Sequence, residues 1–481
     1  MVNKRLSGLP ALSAVCAAAL LAGCSLIPTY ERPAAPVATD WPAALKGAAA
    51  STSAAAAADI DWRDFFSDAR LKKLIELSLQ NNRDLRIAVL NIEQARAQYQ
   101  IKRADQLPNV GASLSQTRQN PSSTGAAGVS SVAIGGLAVN AFELDFFGRV
   151  RALSQSAQAS FLATEEARKT VHISLVASVA NGYLNWLADN ELLALTRETL
   201  ATREESLKLT KLRFDSGVAS ELDYAQASSL LEAARATLAQ VQRQAAQDEN
   251  ALVLLLGQPI PADLPAGPAL LSGEPLLIDV PAGLPSDLLE RRPDIRAAEQ
   301  QLLAANANIG AARAAFFPRI TLTASVGRAS TELQGLFSSG KSVSAWSWAP
   351  QLVLPIFDAG RNQANLDSAR AGRDIAVAQY EKSIQTAFRE VADALAGRAT
   401  LGEQLRASQA QASAEATRFK LSDMRYQNGV ASYLDLLDAQ RSLFTARQAV
   451  VQTRLAQLQS QVILYKTLGG GWKEEAAKPT S

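Results

Sequence analysis

Histidine and cysteine are almost missing from this chain of 481 residues. The single histidine, His172, falls in a long helical pattern, where a packed or solvated ring is the ordinary outcome and no metal centre follows from it alone. Of the two cysteines, Cys16 lies inside an N-terminal apolar run and Cys24 just beyond it. A chain cut before Cys24 keeps one thiol and no internal disulfide, so its stability must come from packing. An excess of one charge is lacking too. The 48 Lys and Arg against 46 Asp and Glu leave +2, which excludes the basic field of a nucleic-acid partner. Beyond the N-terminal segment no apolar run approaches the roughly 20 residues of a membrane helix, "ALVLLLG" at 251–257 being the nearest. Whatever crosses a bilayer here does so as strands or not at all. Neither a Walker-type glycine loop nor a nucleophile, base and orienter set occurs, so the chain is expected not to be an enzyme and to need no cofactor.

What is present begins with "MVNKR", an apolar stretch from Leu12 to Leu21, and then Leu21, Ala22, Gly23 and Cys24. The order matches a lipoprotein signal peptide over 1–23 with cleavage before Cys24, which becomes the lipidated first residue. Residues 24–60, rich in Ala, Pro and Ser, read as a flexible tether carrying that lipid. Order resumes at "DWRDFFSDARLKKLIELSLQNN".

The body is duplicated. "NRDLRIA" (82–88) returns as "RPDIRAA" (292–298), and "QLPNV" (106–110) as "FFPRI" (316–320). Gly148 pairs with Gly360, "LRFDSGVASELD" (212–223) with "MRYQNGVASYLD" (424–435), and Gly257 with Gly469. The order is kept and the offset moves only from 210 to 212, so the chain is two tandem copies of one unit. The first copy spans 61–257, with strands over about 109–147 and long helices over about 148–257. A Pro-rich linker at 258–291 leads to the second copy at 292–470, with strands over about 319–357, long helices over about 360–468, and a tail at 471–481.

Apolar residues recur every seven positions at Val179, Trp186, Leu193, Leu200, Leu207 and Phe214, and again at Leu437, Phe444, Val451, Leu458 and Tyr465. This period marks helices packed along a supercoiled seam. A helix of about 65 residues would run close to 100 Å. The segments "NVGASLSQ" (109–116), "VAIGGLAVNAFELDF" (132–146), "ITLTASVG" (320–327) and "WSWAPQLVL" (346–354) instead alternate apolar with small or hydroxylated residues. One apolar and one polar face suit a barrel wall between lipid and water. Four strands cannot close a membrane barrel, whose minimum is about eight. Two chains would supply eight and three would supply twelve, so closure demands an oligomer.

"CSLIPTYERP", "FELDFFGR", "LLERRPDIRAAE", "ARAAFFPRITL" and "GVASYLDLLDAQRSLFTAR" resemble the TolC-type outer-membrane efflux proteins, in particular their lipidated OprM-like branch. The resemblance implies a mixed all-α plus β-barrel fold. In it a homotrimer forms a twelve-stranded outer-membrane β-barrel continued by a twelve-helix periplasmic α-barrel. It implies a passive exit duct for small toxic compounds, lipid-anchored in the outer membrane of a Gram-negative bacterium. Its partners would be a periplasmic adaptor and an inner-membrane pump of the resistance-nodulation-division type. It places a periplasmic gate on Phe419, Asp423, Arg425 and Tyr426, where the first copy has Lys211 in place of Asp423. Adaptor docking falls on the tips at Arg213, Gly217, Val218, Gly429 and Val430. A protein-secretion duct of the same fold and a soluble periplasmic coiled-coil scaffold are the alternatives, and the second would not need two strand pairs at equivalent positions.

Overall fold

The computed structural model describes residues 25–38, 41, 57–119, 130–265, 267, 271, 276–278, 291–338 and 340–472. The expected signal peptide, Cys24, much of the tether and inter-repeat linker, and the end of the tail lie outside them. Twelve elements organise the described body. The first copy holds α1 (Trp62–Phe65), α2 (Ala69–Asn81), α3 (Arg83–Ala104), β1 (Val110–Gln119), β2 (Ser130–Glu143), α4 (Arg149–Asp215) and α5 (Glu221–Leu256). The second holds α6 (Pro293–Ala314), β3 (Arg319–Ser330), β4 (Val343–Val353), α7 (Arg361–Gln427) and α8 (Tyr433–Thr467). Helices α4 and α7 each run 67 residues, close to the length of about 65 expected for the helix carrying the first seven-residue series; the second series falls on the shorter α8. Each begins just after a left-handed glycine, Gly148 at φ 72° and Gly360 at φ 85°. The first helical stretch of copy one is broken at Asn82. Its Oδ1 accepts from the Leu85 amide at 3.0 Å and caps α3, while its Nδ2 donates to the Leu255 carbonyl at 3.0 Å.

The chain packs as two units, and neither coincides with a sequence copy. One comprises residues up to 34 with 91–165 and 297–381; the other comprises 35–90, 166–296 and 382–481.

The first unit is built on a four-stranded antiparallel sheet in the order β1-β2-β3-β4. Its register sorts the faces, because directly paired residues project to the same side. Ala112, Leu137, Val326 and Trp346 form one row across the four strands, and Val110, Val139, Ala324 and Trp348 form the next. The opposite face carries Ser113, Gly136, Gly327 and Ala345, then Gly111, Ala138, Ser325 and Ser347, with the two serine hydroxyls 2.8 Å apart. At Gly136 a Cβ would fall 2.3 Å from the Val326 carbonyl oxygen, so glycine is required there. At the foot of the sheet Glu143 receives Arg149 through two bonds of 2.8 and 2.7 Å and Arg319 at 2.7 Å, tying the end of β2 to the starts of α4 and β3.

The tether expected over 24–60 is not loose at its described N-terminal end. Arg313 donates to the Leu26 carbonyl at 3.2 Å and Asn306 to the Pro28 carbonyl at 2.8 Å. Arg32 grips Glu299 through two bonds of 2.8 Å, and the Tyr30 hydroxyl donates to the same carboxylate at 3.0 Å. Composition suggested a tether, but specific polar contacts with α6 fix this strap. In the other unit Trp41, also from the tether, is buried and stacked on Phe388 at 4.9 Å.

That second unit has its core where α2, α4 and α5 meet: Leu71, Leu74, Ile75, Tyr183, Leu184, Leu187, Leu252 and Leu256 are almost fully buried. Phe65 stacks on Tyr465 at 3.9 Å, closing α1 onto the end of α8. Val179, Leu437, Val451 and Tyr465 of the seven-residue series are buried, whereas Phe214 near the end of α4 is 37% exposed. In the first copy the seam is therefore tightest in the body and loosens toward the turn, whereas in the second it stays buried at Leu437, beside the turn.

Candidate functional site

Two helix reversals, 216–220 and 428–432, carry the residues that sequence reasoning marked as tips. Each long helix ends in the same way. The Val218 amide donates to the Arg213 carbonyl at 2.8 Å, and the Val430 amide to the Arg425 carbonyl at 2.9 Å. These are the six-to-one bonds of a Schellman ending, which needs a left-handed residue before the donor. Gly217 and Gly429 supply it at φ 72° and 73°, and a Cβ added at either would meet nothing within 4 Å, so the backbone angle alone calls for glycine. The next helix then starts on a capping box. The Ser220 Oγ accepts from the Asp223 amide at 3.1 Å and the Ser432 Oγ from the Asp435 amide at 3.3 Å, and each aspartate bonds back to its serine amide. The chain reverses within about one helical turn because both ends are satisfied by their own residues.

The reversals also display apolar surface. Val218 is 77% exposed and Val430 67%, and their neighbours Leu222 and Leu434 are exposed as well. Leu212 and Met424, at equivalent positions before the turns, are exposed too. The same apolar positions are thus presented twice.

Of the four residues marked as a gate, two are drawn into packing. Phe419 and Tyr426 lie against a cluster of Ala227, Tyr433, Leu436 and Leu437. The Tyr426 and Tyr433 rings are 5.2 Å apart, and the Arg213 guanidinium sits 4.9 Å from the Tyr426 ring centre. Arg213, marked as a tip residue, therefore joins copy one to the gate stretch of copy two through a cation–π contact. Asp423 accepts from Gln427 Nε2 at 2.8 Å. At the equivalent place in copy one, Lys211 donates to Asp215 at 2.9 Å. The one-turn pair is kept between the copies while the acidic partner changes ends. Arg425 is exposed. Tyr433, which sequence reasoning passed over, anchors the cluster; its place directly after the capping Ser432 was the available signal.

Among the described residues no group of three or more His, Cys, Asp or Glu could hold a metal, and no helix is long and apolar enough to cross a membrane. His172 is pushed down to about 4, first by burial and then by the Arg168 charge, so it stays neutral near pH 7. It lies edge-on to Trp472 at 4.9 Å, a packing role.

The model of the family described as outer membrane efflux protein matches at 74–258 and again at 284–470. The chain is 51% identical over 471 residues to the antibiotic efflux pump outer membrane protein ArpC of Pseudomonas putida, covering 97% of this chain and 96% of that one. It is equally similar, 51% over 471 residues with the same coverage of 97% and 96%, to the toluene efflux pump outer membrane protein TtgC of that species. Among solved structures, the open state of the MtrE outer membrane channel of Neisseria gonorrhoeae superimposes with a TM-score of 0.83 at 42% identity, covering 93% of this chain and 98% of MtrE.

Proposed function

The chain belongs to the outer membrane efflux protein family, and on that premise we propose that it is the exit duct of a tripartite efflux system. An inner-membrane pump of the resistance-nodulation-division type and a periplasmic adaptor deliver small toxic compounds, antibiotics and organic solvents among them, and the duct conducts them passively outward. Energy is spent at the pump, and the duct has no chemistry to perform.

The observation that carries the reading is the open sheet. Strands β1 and β4 are its two edges, and one of its faces carries the exposed Leu114, Leu137, Val326, Trp346 and Trp348. In hydrocarbon, edge amides and carbonyls left unpaired cost several kcal/mol each, so every edge must meet another strand. Three chains in a ring supply twelve strands and a passage. The lipid on Cys24 adds an anchor in the outer membrane. Exposure of Val218, Leu222, Val430 and Leu434 supports adaptor docking at the tips. Asp423, repeated by symmetry, would form a carboxylate ring near the closed end, its mutual repulsion opposed by Arg425 or bound cations.

Mass photometry of the full chain in detergent should give three copies, and planar bilayers should show stable single-channel steps; a monodisperse monomer without conductance overturns the reading. Asp423→Ala should raise single-channel conductance. Gly429→Trp should leave conductance alone and abolish efflux in cells, and Cys24→Ser should abolish incorporation of labelled palmitate.

A further inference from the structure

Arg203 sits in the last quarter of α4 and is only 6% exposed, yet it has no acidic partner among the described residues. Among the described residues no carboxylate lies within ion-pair distance of it. Its Nη1 donates to the Leu230 carbonyl at 3.0 Å, while its Nε is buried without a hydrogen bond. Among the described residues the neighbouring charge that acts on it is the like charge of Arg441, and burial followed by that repulsion pulls its pKa below the ordinary arginine value. A guanidinium still does not give up its proton in a protein, so the charge stays and remains uncompensated. Burying a cation in this way costs several kcal/mol unless something else meets it.

Beside it is a cavity of about 150 Å³, lined by α4, α7 and α8 and open to solvent on one side. Ala416, Phe419, Leu443 and Phe444 give it an apolar lining, and the Arg203 guanidinium stands 5.5 Å from the Phe444 ring centre. Gln440 also lines it, and its Oε1 is a second buried polar atom without a partner. Glu198 stands at the lining too, but its carboxylate is engaged by Arg447 at 3.1 Å. The site thus combines an apolar chamber, an uncompensated cation and an unsatisfied acceptor.

The geometry points to a binding site for a monocyclic aromatic carboxylate, its ring in the apolar chamber, its carboxylate on Arg203 and a ring hydroxyl, where one is present, donating to Gln440. The volume sets the scale of the buried part of the ligand, since ~150 Å³ holds about one benzene ring. The charge sets its sign. Planar, bidentate pairing between guanidinium and carboxylate would offset the desolvation that Arg203 now bears alone. Phe419 belongs both to this chamber and to the cluster under the turn, so an occupant would touch the gate stretch directly.

The test is a fluorine NMR titration of the purified full chain in detergent with 4-fluorobenzoate, the neutral 4-fluorobenzamide and the larger 6-fluoro-2-naphthoate. The acid should bind saturably, one per chain, and at least tenfold more tightly than the amide or the two-ring acid. Arg203→Met should weaken 4-fluorobenzoate at least tenfold with no loss of thermal stability, because it removes an uncompensated buried charge. Ala416→Phe, which fills the chamber and keeps the arginine in place, should weaken it by as much, and decides the matter should Arg203→Met fail to fold. No saturable binding to the wild type leaves the cavity to water and overturns the proposal. Equal binding of acid and amide, or unchanged binding in the folded variants, overturns it as well.

Discussion

The hydroxyl of Tyr433, first residue of the last helix, lies 3.1 Å from the Oγ of Ser206 on the first long helix. The two side chains come from different sequence copies and meet just behind the turns. Tyr433→Phe keeps the ring in the cluster and removes only this bond, so it should cost about 1 kcal/mol, whereas Tyr433→Ala also empties the cluster and should cost about 3 kcal/mol or more. Thermal melting of the purified protein would rank them, and equal losses would show that the hydroxyl rather than the ring holds the tip.

Gly310 faces the N-terminal strap so closely that a Cβ would fall 2.4 Å from Ile27 Cγ1 and 3.0 Å from the Ile27 backbone. Gly310→Ala should therefore lift residues 25–32 from α6 although alanine is the better helix former. Limited proteolysis should cut the strap faster in the variant while the helices beyond it stay resistant. An unchanged cleavage rate would mean that the polar contacts of Glu299, Asn306 and Arg313 hold the strap without the Ile27 packing.

Arg292 is buried and donates to Asp294 at 3.0 and 2.6 Å, to Glu390 at 2.9 Å and to the Thr467 carbonyl at 3.0 Å. Burial works against its charge, but the two carboxylates outweigh it and hold its pKa above the ordinary value. Removing the cation strands both acids. Arg292→Met should cost roughly 3–5 kcal/mol, more than Glu390→Gln, which leaves Asp294 as partner. Denaturation curves that put the two variants level would refute the shared-network account.

Two buried groups make opposing contributions to pH dependence. Asp189 is raised to about 7 by burial and then by its hydrogen bond and repulsion with Asp248. Its folded form favours the proton, so its contribution is full below the unfolded value near 4 and is lost as pH rises through about 7. His172, lowered to about 4, contributes above its unfolded value of 6.5, and that contribution is lost as pH falls from 6.5 through 4. Between pH 4 and 6.5 the two slopes oppose each other. Asp189→Asn should make stability rise more steeply with pH in that window, and His172→Phe should make it fall. Melting temperatures scanned from pH 4 to 8 would show it; parallel profiles for wild type and Asp189→Asn would sink the assignment.

Much of the architecture was legible because it rests on backbone requirements. The paired glycines at 148 and 360, 217 and 429, and 257 and 469 all adopt positive φ, and repeats conserve such needs while surfaces drift. Strand faces were legible from alternation, and the long helices from their seven-residue series. The strap was not, since Ala, Pro and Ser composition reports average burial and is blind to one Arg32–Glu299 pair. Arg203 was invisible for a related reason: a charged residue on a long helix reads as solvated, and only neighbouring helices can bury it. The gate residues divide along the same line, because Phe419 and Tyr426 show packing within one chain, whereas the closing of an aperture depends on how chains assemble.

The pairing of β2 with β3 is where the two copies were sealed into one molecule. Ala133 meets Ser330 there across almost two hundred residues of chain, a long-range contact whose loop closure carries an entropy cost. A single copy would offer one hairpin with two open edges. The fused chain also has two open edges but twice the strands, so duplication halves the number of encounters between separate molecules that ring closure requires. The translational entropy of those lost encounters was exchanged for a slower search within one polypeptide, and Gly136 and Gly327, facing each other without side chains, lie on the weld.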